Sequence, residues 1–347
     1  MKRLTVFPAL LAASCLTFAP APAAQAGELS TIAFGSCAHQ RLDQDIWFAI
    51  AEAEPDVFLM LGDNVYADTE DMEVMRESYA RLAAKPGFKR LRREVPILAT
   101  WDDHDYGEND AGADYPMRAE SRRVFLDFWG SGHPDQRYGG DGVYSSWTSG
   151  PPGSRVQVIL LDTRFFRSPL ERRQLEAGES YVPVRGEGVT MLGDRQWRWL
   201  RERLAEPADL RILASSIQVI PQQHRWEKWA NMPDERQRLF ALIGETAAAG
   251  VVIISGDRHL GEISMIEDTA AGYPLYEVTS SSLTSPIGGN SDEPNRHRIA
   301  GGNFSARNFG LLTVDWQRAD PRITLELRDQ QGQVVRRHGL ALSRLQP

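Results

Sequence analysis

The sequence has few cysteines, no excess of basic residues and no apolar run of the length that crosses a membrane. Its 347 residues include two cysteines, and 39 Lys and Arg stand against 47 Asp and Glu, which gives a formal charge of −8. A protein that reads nucleic acid normally carries a basic face, so this balance disfavours that class. A membrane-spanning helix needs about 20 apolar residues, and we expect no transmembrane segment. The 9 Trp, 9 Tyr and 13 Phe favour a folded globular chain over a disordered one.

Residues 1–26 have the pattern of a signal peptide. Lys2 and Arg3 form a short basic region, residues 4–18 are mostly apolar, and the segment ends in the small-residue motif Ala-Gln-Ala. The mature chain is therefore predicted to begin at Gly27 and to be exported, either to the periplasm or out of the cell. Cleavage would remove two basic residues and change the formal charge from −8 to −10.

Cys15 lies in this leader, so Cys37 would be the single cysteine of the mature chain. An intrachain disulfide is then impossible, although an exported protein meets an oxidising compartment. The thiol of Cys37 is therefore predicted to be buried and inert, paired with another chain, or bound to a ligand. The residues that surround it decide between these alternatives.

Apolar segments with the length of strands alternate with helical patterns along the chain. The strands predicted in its first part are residues 31–34, 57–61, 95–100, 155–161, 211–215 and 251–254. Three later runs, residues 275–279, 311–314 and 323–327, have few helical patterns between them, which predicts antiparallel pairing there. The Gly-rich tract 288–302 is predicted to be a surface loop. No linker or internal repeat interrupts the pattern, and we expect one α/β domain over residues 27–347.

Polar side chains with metal-binding chemistry follow four of these predicted strands. They are Cys37, Asp63, the pair Asp103 and His104, and the pair Asp257 and His259. Because sites in α/β sheets assemble at the carboxyl ends of the strands, we expect these side chains to lie close together. Carboxylates suit hard divalent ions such as Ca²⁺, and a thiolate and an imidazole add a preference for transition metals. The sequence therefore predicts a metal site at these strand ends.

Tyr66 is a further candidate ligand, because it lies three residues after Asp63 and both side chains could bind one ion in the loop. A phenolate is a hard anion that needs a strong Lewis acid to stay deprotonated near neutral pH, and Fe³⁺ meets this requirement. The alternative for Tyr66 is a buried phenol that makes a hydrogen bond at the edge of the core.

Several blocks of the sequence carry a resemblance to a known family. Residues 62–68 read Gly-Asp-Asn-Val-Tyr-Ala-Asp, residues 102–105 read Asp-Asp-His-Asp, and residues 255–259 read Ser-Gly-Asp-Arg-His. With Gly-Ser-Cys at 35–37 and Asp-Thr-Arg at 162–164, they resemble the PhoD-like (alkaline phosphatase D) family of metallophosphoesterases, which is related to the purple acid phosphatases. The resemblance covers most of the mature chain.

The resemblance implies a four-layer α/β/β/α fold of two mixed sheets flanked by helices. It also implies a multinuclear centre with one Fe³⁺ beside Ca²⁺ or another divalent ion. The residues implied for iron are Cys37, Asp63, Tyr66 and His259. Those implied for the second ion are Asp63 as a bridge, Asp103, Asp257 and, as a further candidate, Asp102.

The resemblance also places four residues at the phosphate group of a substrate. Asn64 and His104 would lie beside it, with His104 as the proton donor to the leaving group. Arg164 and Arg258 would bind its oxygens, although each arginine could equally pair with a carboxylate of the protein. The sequence has no Gly-rich nucleophile elbow and no P-loop, which disfavours a covalent intermediate and NTP-driven work.

Together these features predict an exported, metal-dependent hydrolase of small phosphate monoesters or diesters, with no obligate protein partner. Two cations would neutralise the phosphate oxygens and supply hydroxide for the attack. Alternatively, the substrate is a lipid or polymer diester, as for a phospholipase D-type hydrolase, and Trp226, Lys228 and Trp229 form a lip for it. From another class of protein, the chain could be a non-catalytic exported metal-binding protein.

Overall fold

Two large β-sheets pack face to face at the centre of the structure, and helices cover their outer faces. The computed structural model describes residues 27–130, 137–138, 140–176, 178–286, 288 and 293–347. The predicted signal peptide, residues 1–26, lies outside the described residues. None of the described helices has the length and apolar character that a membrane span requires.

Sixteen strands and seven α-helices make up most of the described part of the chain. The strands are β1 (Thr31–Gly35), β2 (Val57–Leu61), β3 (Ile97–Thr100), β4 (Arg137–Tyr138), β5 (Ser145–Ser149), β6 (Val156–Leu160), β7 (Glu171–Leu175), β8 (Gly178–Val182), β9 (Leu210–Ser215), β10 (Val251–Ser255), β11 (Gly261–Ile266), β12 (Leu275–Ser280), β13 (Arg298–Phe304), β14 (Asn308–Asp315), β15 (Arg322–Asp329) and β16 (Val334–Ala341). The helices are α1 (Ile46–Glu52), α2 (Met72–Ala84), α3 (Pro86–Glu94), α4 (Asp103–Tyr106), α5 (Arg118–Trp129), α6 (Gly193–Leu204) and α7 (Pro233–Glu245).

Both large sheets are mixed. The first has six strands in the order β16-β15-β14-β1-β2-β3, and the second has eight in the order β13-β11-β12-β10-β9-β6-β5-β4. β1, β2 and β3 pair in parallel, as do β6, β9, β10 and β12. β14 and β15 pair antiparallel with both of their neighbours, as predicted. The prediction for β12 is met on one side, because this strand pairs antiparallel with β11 and parallel with β10. β7 and β8 form a separate hairpin.

The strands predicted in the first part of the chain are confirmed, each within two residues of its predicted bounds. The prediction of a surface loop over residues 288–302 is wrong for its last part, because β13 begins at Arg298 and pairs with β11. Gly301 and Gly302 lie on this strand and are exposed. β13 is an edge strand, where glycine is better tolerated than in the middle of a sheet.

Alternate side chains of β2 show how the layers are stacked. Val57, Leu59 and Leu61 lie in the core between the two sheets, whereas Phe58 and Met60 pack with buried residues of α1, α2, α3 and α5. Successive side chains of a strand point to opposite faces, so β2 is buried on both. Buried residues of α6 and α7 pack with the second sheet. The predicted four-layer α/β/β/α fold is therefore confirmed.

The carboxyl ends of β2 and β3 approach each other closely at Gly62. Its φ is +102°, and a Cβ at this position would lie 2.5 Å from the Cβ of Asp102 and 2.7 Å from the nitrogen of the same residue. Glycine alone combines this backbone conformation with this contact. Gly62 therefore allows Asp63 to lie beside Asp102 and Asp103 at one edge of the first sheet.

Candidate metal centre

The predicted ligands lie where strands of both sheets end. Cys37 and Asp63 follow β1 and β2 of the first sheet, and Asp257 and His259 follow β10 of the second. All four residues have φ values in the left-handed region, between +48° and +67°. This conformation costs a residue with a Cβ about 1–2 kcal/mol, and it persists where the surrounding structure enforces it, often at functional sites. The sharp turns bring side chains from both sheets together.

Cys37, Asp63 and His259 form a first group of donors, whose sulfur, oxygen and nitrogen atoms all lie within 4.8 Å of one another. The Tyr66 hydroxyl donates to Asp63 Oδ2 at 3.3 Å and lies 3.3 Å from His259 Nε2. His259 Nδ1 donates to the carbonyl of Ser285, which leaves Nε2 facing the group. The structure therefore brings together the four residues that were predicted for iron.

Asp102, Asp103 and Asp257 form a second group, whose oxygens also lie within 4.8 Å of one another. Asp63 joins Asp103 and His104 in a third, so Asp63 and Asp103 connect the groups. Within the described residues, Asp102 Oδ2, Asp103 Oδ1 and Asp257 Oδ2 are buried and have no hydrogen-bond partner. Burying such an atom without a partner is costly, and a cation satisfies it. The three carboxylates therefore fit a hard divalent ion.

Burial disfavours the charged forms of most of these donors. It raises the pKa of the Asp63 and Asp257 carboxyls well above their ordinary range, and the pKa of the Cys37 thiol to about 11. Burial, with Cys37 and Asp63 nearby, also raises the pKa of the Tyr66 phenol. A bound cation favours the deprotonated form of each donor, so metal binding would release protons from this cluster.

His104 borders a cavity of about 340 Å³ beside the donors. Its Nδ1 lies 2.6 Å from Asp68 Oδ1, and its ring centroid lies 4.2 Å from that of Tyr66. Burial lowers the pKa of the imidazole, but the carboxylates of Asp63, Asp103 and Asp68 together outweigh burial and raise this pKa to about 11. Because Asp68 occupies Nδ1, Nε2 is the nitrogen that remains for a ligand in the cavity.

Arg258 also borders the cavity, as does the partly exposed Trp226. The guanidinium of Arg258 makes two contacts with the carboxylate of Glu293, at 2.5 and 3.2 Å. This pairing fixes the plane of the guanidinium at the rim. Arg258 thus borders the cavity and has a carboxylate of the protein as its partner, which was the alternative to binding phosphate.

Arg164 and Asn64, which the resemblance placed at the phosphate of a substrate, are fully buried. Arg164 Nε and Nη2 each lie 2.6 Å from Asp102 Oδ1, and Nη1 lies 2.7 Å from Glu227. Asn64 Nδ2 donates to Asp105 Oδ2 at 2.5 Å. Both side chains therefore contact other residues of the site, and within the described residues the buried Asn64 Oδ1 has no hydrogen-bond partner.

Asp105 belongs to the Asp-Asp-His-Asp block, but the sequence predicted no role for it. Its Oδ1 accepts the backbone N–H groups of Asp63 and Asp102 at 3.1 and 2.8 Å. Its Oδ2 accepts from Asn64 and from the Tyr79 hydroxyl, the latter at 3.0 Å. One buried carboxylate therefore ties the ends of β2 and β3 to each other and to α2. Its place in the block is the signal that could have identified it.

Two other carboxylates near the site carried no sequence signal. Glu227 is buried, and its oxygens lie 2.7 Å from Arg164 and 3.2 Å from Arg167. Asp110 donates its backbone N–H to Asp103 Oδ2 at 2.8 Å. The Asp110 side chain accepts in turn from Arg172, which lies on the β7–β8 hairpin. Through Asp110, the hairpin therefore supports one of the candidate ligands.

Comparisons with known proteins show which family the chain resembles. The family model described as PhoD-like phosphatase matches residues 32–333, a span that includes every donor described above. Among curated proteins, alkaline phosphatase D of Bacillus subtilis (strain 168) is 24% identical over 318 residues. That match covers 78% of this chain and 53% of the relative, so the chain spans about half the length of the curated protein.

Two solved structures show the same fold. A structure of PhoD matches with a TM-score of 0.70 and 20% identity, and the match covers 93% of this chain and 70% of that one. A dimetal phosphatase from Danio rerio matches with a TM-score of 0.53 and 11% identity, over 91% of this chain and 100% of the other. The fold is thus shared with PhoD and with a dimetal phosphatase. Because the family model matches most of the sequence, the chain belongs to the PhoD-like phosphatase family.

The Asp105→Ala variant tests whether this carboxylate organises the centre. It leaves four buried donors without their acceptor, each at a cost of about 1–3 kcal/mol. We expect the free energy of unfolding, measured by urea denaturation, to be several kcal/mol lower than that of wild type. We also expect the variant to lose its bound metal. Tyr79→Phe is the matched control, because it removes one of the four donors together with its bond. It should keep its metal content, measured by inductively coupled plasma mass spectrometry. Wild-type stability and metal content in Asp105→Ala would contradict the role.

Proposed function

We propose that the chain is a metal-dependent phosphoric ester hydrolase. The observation that carries this proposal is the convergence of two groups of metal donors beside a cavity that His104 borders. The groups are Cys37, Asp63 and His259, and Asp102, Asp103 and Asp257. Membership of the PhoD-like phosphatase family supports the same chemistry. A non-catalytic metal-binding protein, the alternative, would not need an oriented imidazole at the cavity.

We propose Fe³⁺ for the first group of donors and Ca²⁺, or another hard divalent ion, for the second. A thiolate and an imidazole favour a transition metal, and the Tyr66 phenol within 3.3 Å of both Asp63 and His259 adds a hard anionic donor. The second group consists of carboxylates, which favour hard ions. Asp63 would bridge the two ions, because it belongs to the first group and also groups with Asp103, which is a member of the second.

The residues around the cavity support hydrolysis without a covalent intermediate. When bound, the cations would neutralise the phosphoryl oxygens and acidify the attacking water. His104, held at Nδ1 by Asp68, would donate a proton from Nε2 to the leaving oxygen. Arg258, held by Glu293, would bind a phosphoryl oxygen from the rim of the cavity.

The proposed substrate is a small phosphate monoester or diester. Of the three residues predicted to form a lip for a lipid or polymer diester, Trp226 is 42% exposed and borders the cavity. Lys228 and Trp229 are buried, and Trp229 is part of the core. A lip would therefore consist of Trp226 without the other two. Parallel assays on a chromogenic monoester and diester determine which type of substrate the site prefers.

We also propose that the protein is exported. The support is the basic, apolar and small-residue pattern of residues 1–26. Protein recovered from the periplasm or the medium of the expressing cells should begin at Gly27 when its amino terminus is sequenced. Recovery of the full-length chain from the cytoplasm alone would contradict the proposal.

The metals and the activity can be tested on one preparation. The purified protein should contain iron, hydrolyse 4-nitrophenyl phosphate and show a visible phenolate-to-iron charge-transfer band. Chelation of the divalent ion should abolish hydrolysis and leave the iron in place. Tyr66→Phe should abolish the band, because it removes the phenolate, while Tyr79→Phe should keep it. Stoichiometric iron without visible absorption would contradict the Tyr66 assignment, and a fully metallated protein without activity would favour the non-catalytic alternative.

His104→Asn tests the role of the proton donor. If His104 protonates the leaving oxygen, kcat on alkyl phosphates should fall by about 10²-fold or more. The loss on 4-nitrophenyl phosphate should be clearly smaller, because nitrophenolate leaves without a proton. His39→Asn is the control, since His39 also stacks on Tyr66, at 4.8 Å between ring centroids. It should affect both substrates alike. Equal losses on the two substrates in a folded, metallated His104→Asn protein would remove His104 from this role.

A further inference from the structure

Ser281 lies directly after β12, between two residues of the first donor group. Its side chain is fully buried. The Ser281 Oγ is 2.7 Å from the backbone nitrogen of His259 and 3.1 Å from the Sγ of Cys37. One hydroxyl therefore contacts both of these candidate ligands, although Cys37 and Ser281 are 244 residues apart in the sequence.

The direction of each hydrogen bond follows from what the groups can do. A backbone N–H is a donor, so Ser281 Oγ accepts from His259 and keeps its own proton for another partner. A protonated Cys37 can donate to Asp63 Oδ2, which lies 3.4 Å from its sulfur. A thiolate has no proton and can only accept a hydrogen bond, so Ser281 is then the donor to Cys37. The same hydroxyl thus suits the form of Cys37 that binds a metal.

Ser36 is the other hydroxyl near the sulfur, and its geometry is weaker. Its Oγ lies 3.4 Å from Cys37 Sγ and also 3.4 Å from the carbonyl of Ser280. Ser281 is closer to the sulfur and is fixed on its other side by the short bond from His259. Ser281 therefore has the stronger contact with the sulfur.

We propose that Ser281 is a positioning residue of the metal centre, which holds the Cys37 thiolate and the His259 loop in the arrangement that binds the metal. This inference rests on the proposed function, because it takes Cys37 and His259 as ligands. Both residues have left-handed φ values, +61° and +55°, so each needs bonds from neighbouring segments to stay in place. Outer partners of this kind change metal affinity by about 10- to 100-fold when they are removed.

The structure supplies a matched control in the next residue. Ser282 is also fully buried, and its hydroxyl donates to the carbonyl of Ser281. Within the described residues, its hydroxyl has no hydrogen bond to Cys37 or His259. Ser282→Ala therefore makes the same chemical change in the same segment without touching either ligand.

The test uses Co²⁺ alone, added to the metal-free protein, because a cobalt–thiolate bond gives a charge-transfer band in the near ultraviolet. Wild type should show the band, and Cys37→Ser should lose it. Ser281→Ala should bind Co²⁺ about 10- to 100-fold more weakly. Its band should move to longer wavelength, because a thiolate without its hydrogen bond is a stronger electron donor. Ser282→Ala should match wild type in affinity and band position.

A second pair of variants separates the hydroxyl from packing. Thr and Val have nearly the same shape, so Ser281→Thr should behave like wild type and Ser281→Val like Ser281→Ala. This pair also decides the question if Ser281→Ala does not fold, as judged by circular dichroism.

The outcomes distinguish this inference from the ligand set on which it rests. An unchanged affinity and band in Ser281→Ala, or identical results for the Thr and Val variants, would overturn the role of Ser281 and leave Cys37 as a ligand. An equal loss in Ser282→Ala would assign the effect to packing and also overturn it. A wild-type protein without a cobalt–thiolate band would overturn both the Cys37 assignment and the inference.

Discussion

Carboxylates buried close together repel one another, and the ends of β2, β3 and β10 bring four of them within reach of shared ions. They are Asp63, Asp102, Asp103 and Asp257. The surrounding structure compensates part of this charge, because Arg164 pairs with Asp102 at 2.6 Å and lies 3.9 Å from Asp103. Asp105 fixes the two strand ends through backbone N–H groups, so the carboxylates cannot move apart. Much of the architecture around the site therefore holds these carboxyl groups together, where protons or bound cations neutralise them.

The donors could be predicted from the sequence because their positions depend on topology more than on side-chain detail. Asp63 and Asp257 follow the continuous apolar runs of β2 and β10, and such runs indicate strands buried on both faces. Once the strands are parallel, their carboxyl ends lie on one side of each sheet. A polar residue within a few positions of such a strand end can then be predicted to lie at the site, with no knowledge of side-chain contacts. This is why Cys37 and His259 were found together with the carboxylates.

Side-chain direction and long-range pairing could not be predicted in the same way. An arginine suits a carboxylate as well as a phosphate, and the choice at Arg164 depends on Asp102, 62 residues away, and on Glu227 in an irregular segment. Asn64 turns to Asp105, a contact that no spacing in the sequence specifies. The strand β13 was missed because glycines weaken the sequence signal for a strand, whereas its pairing with β11 depends on the fold as a whole.

The first donor group is assembled from residues that are far apart along the chain, with Tyr66 and His259 separated by 193 residues. A chain that is still folding cannot form this group until both sheets exist, so its early intermediates offer isolated donors. Ions that bind only to the completed site stabilise the native state by RT ln(1 + [L]/Kd), where [L] is the concentration of the free ion. The supply of metal in the compartment where the chain folds therefore sets how many molecules escape proteolysis, in addition to how many are active.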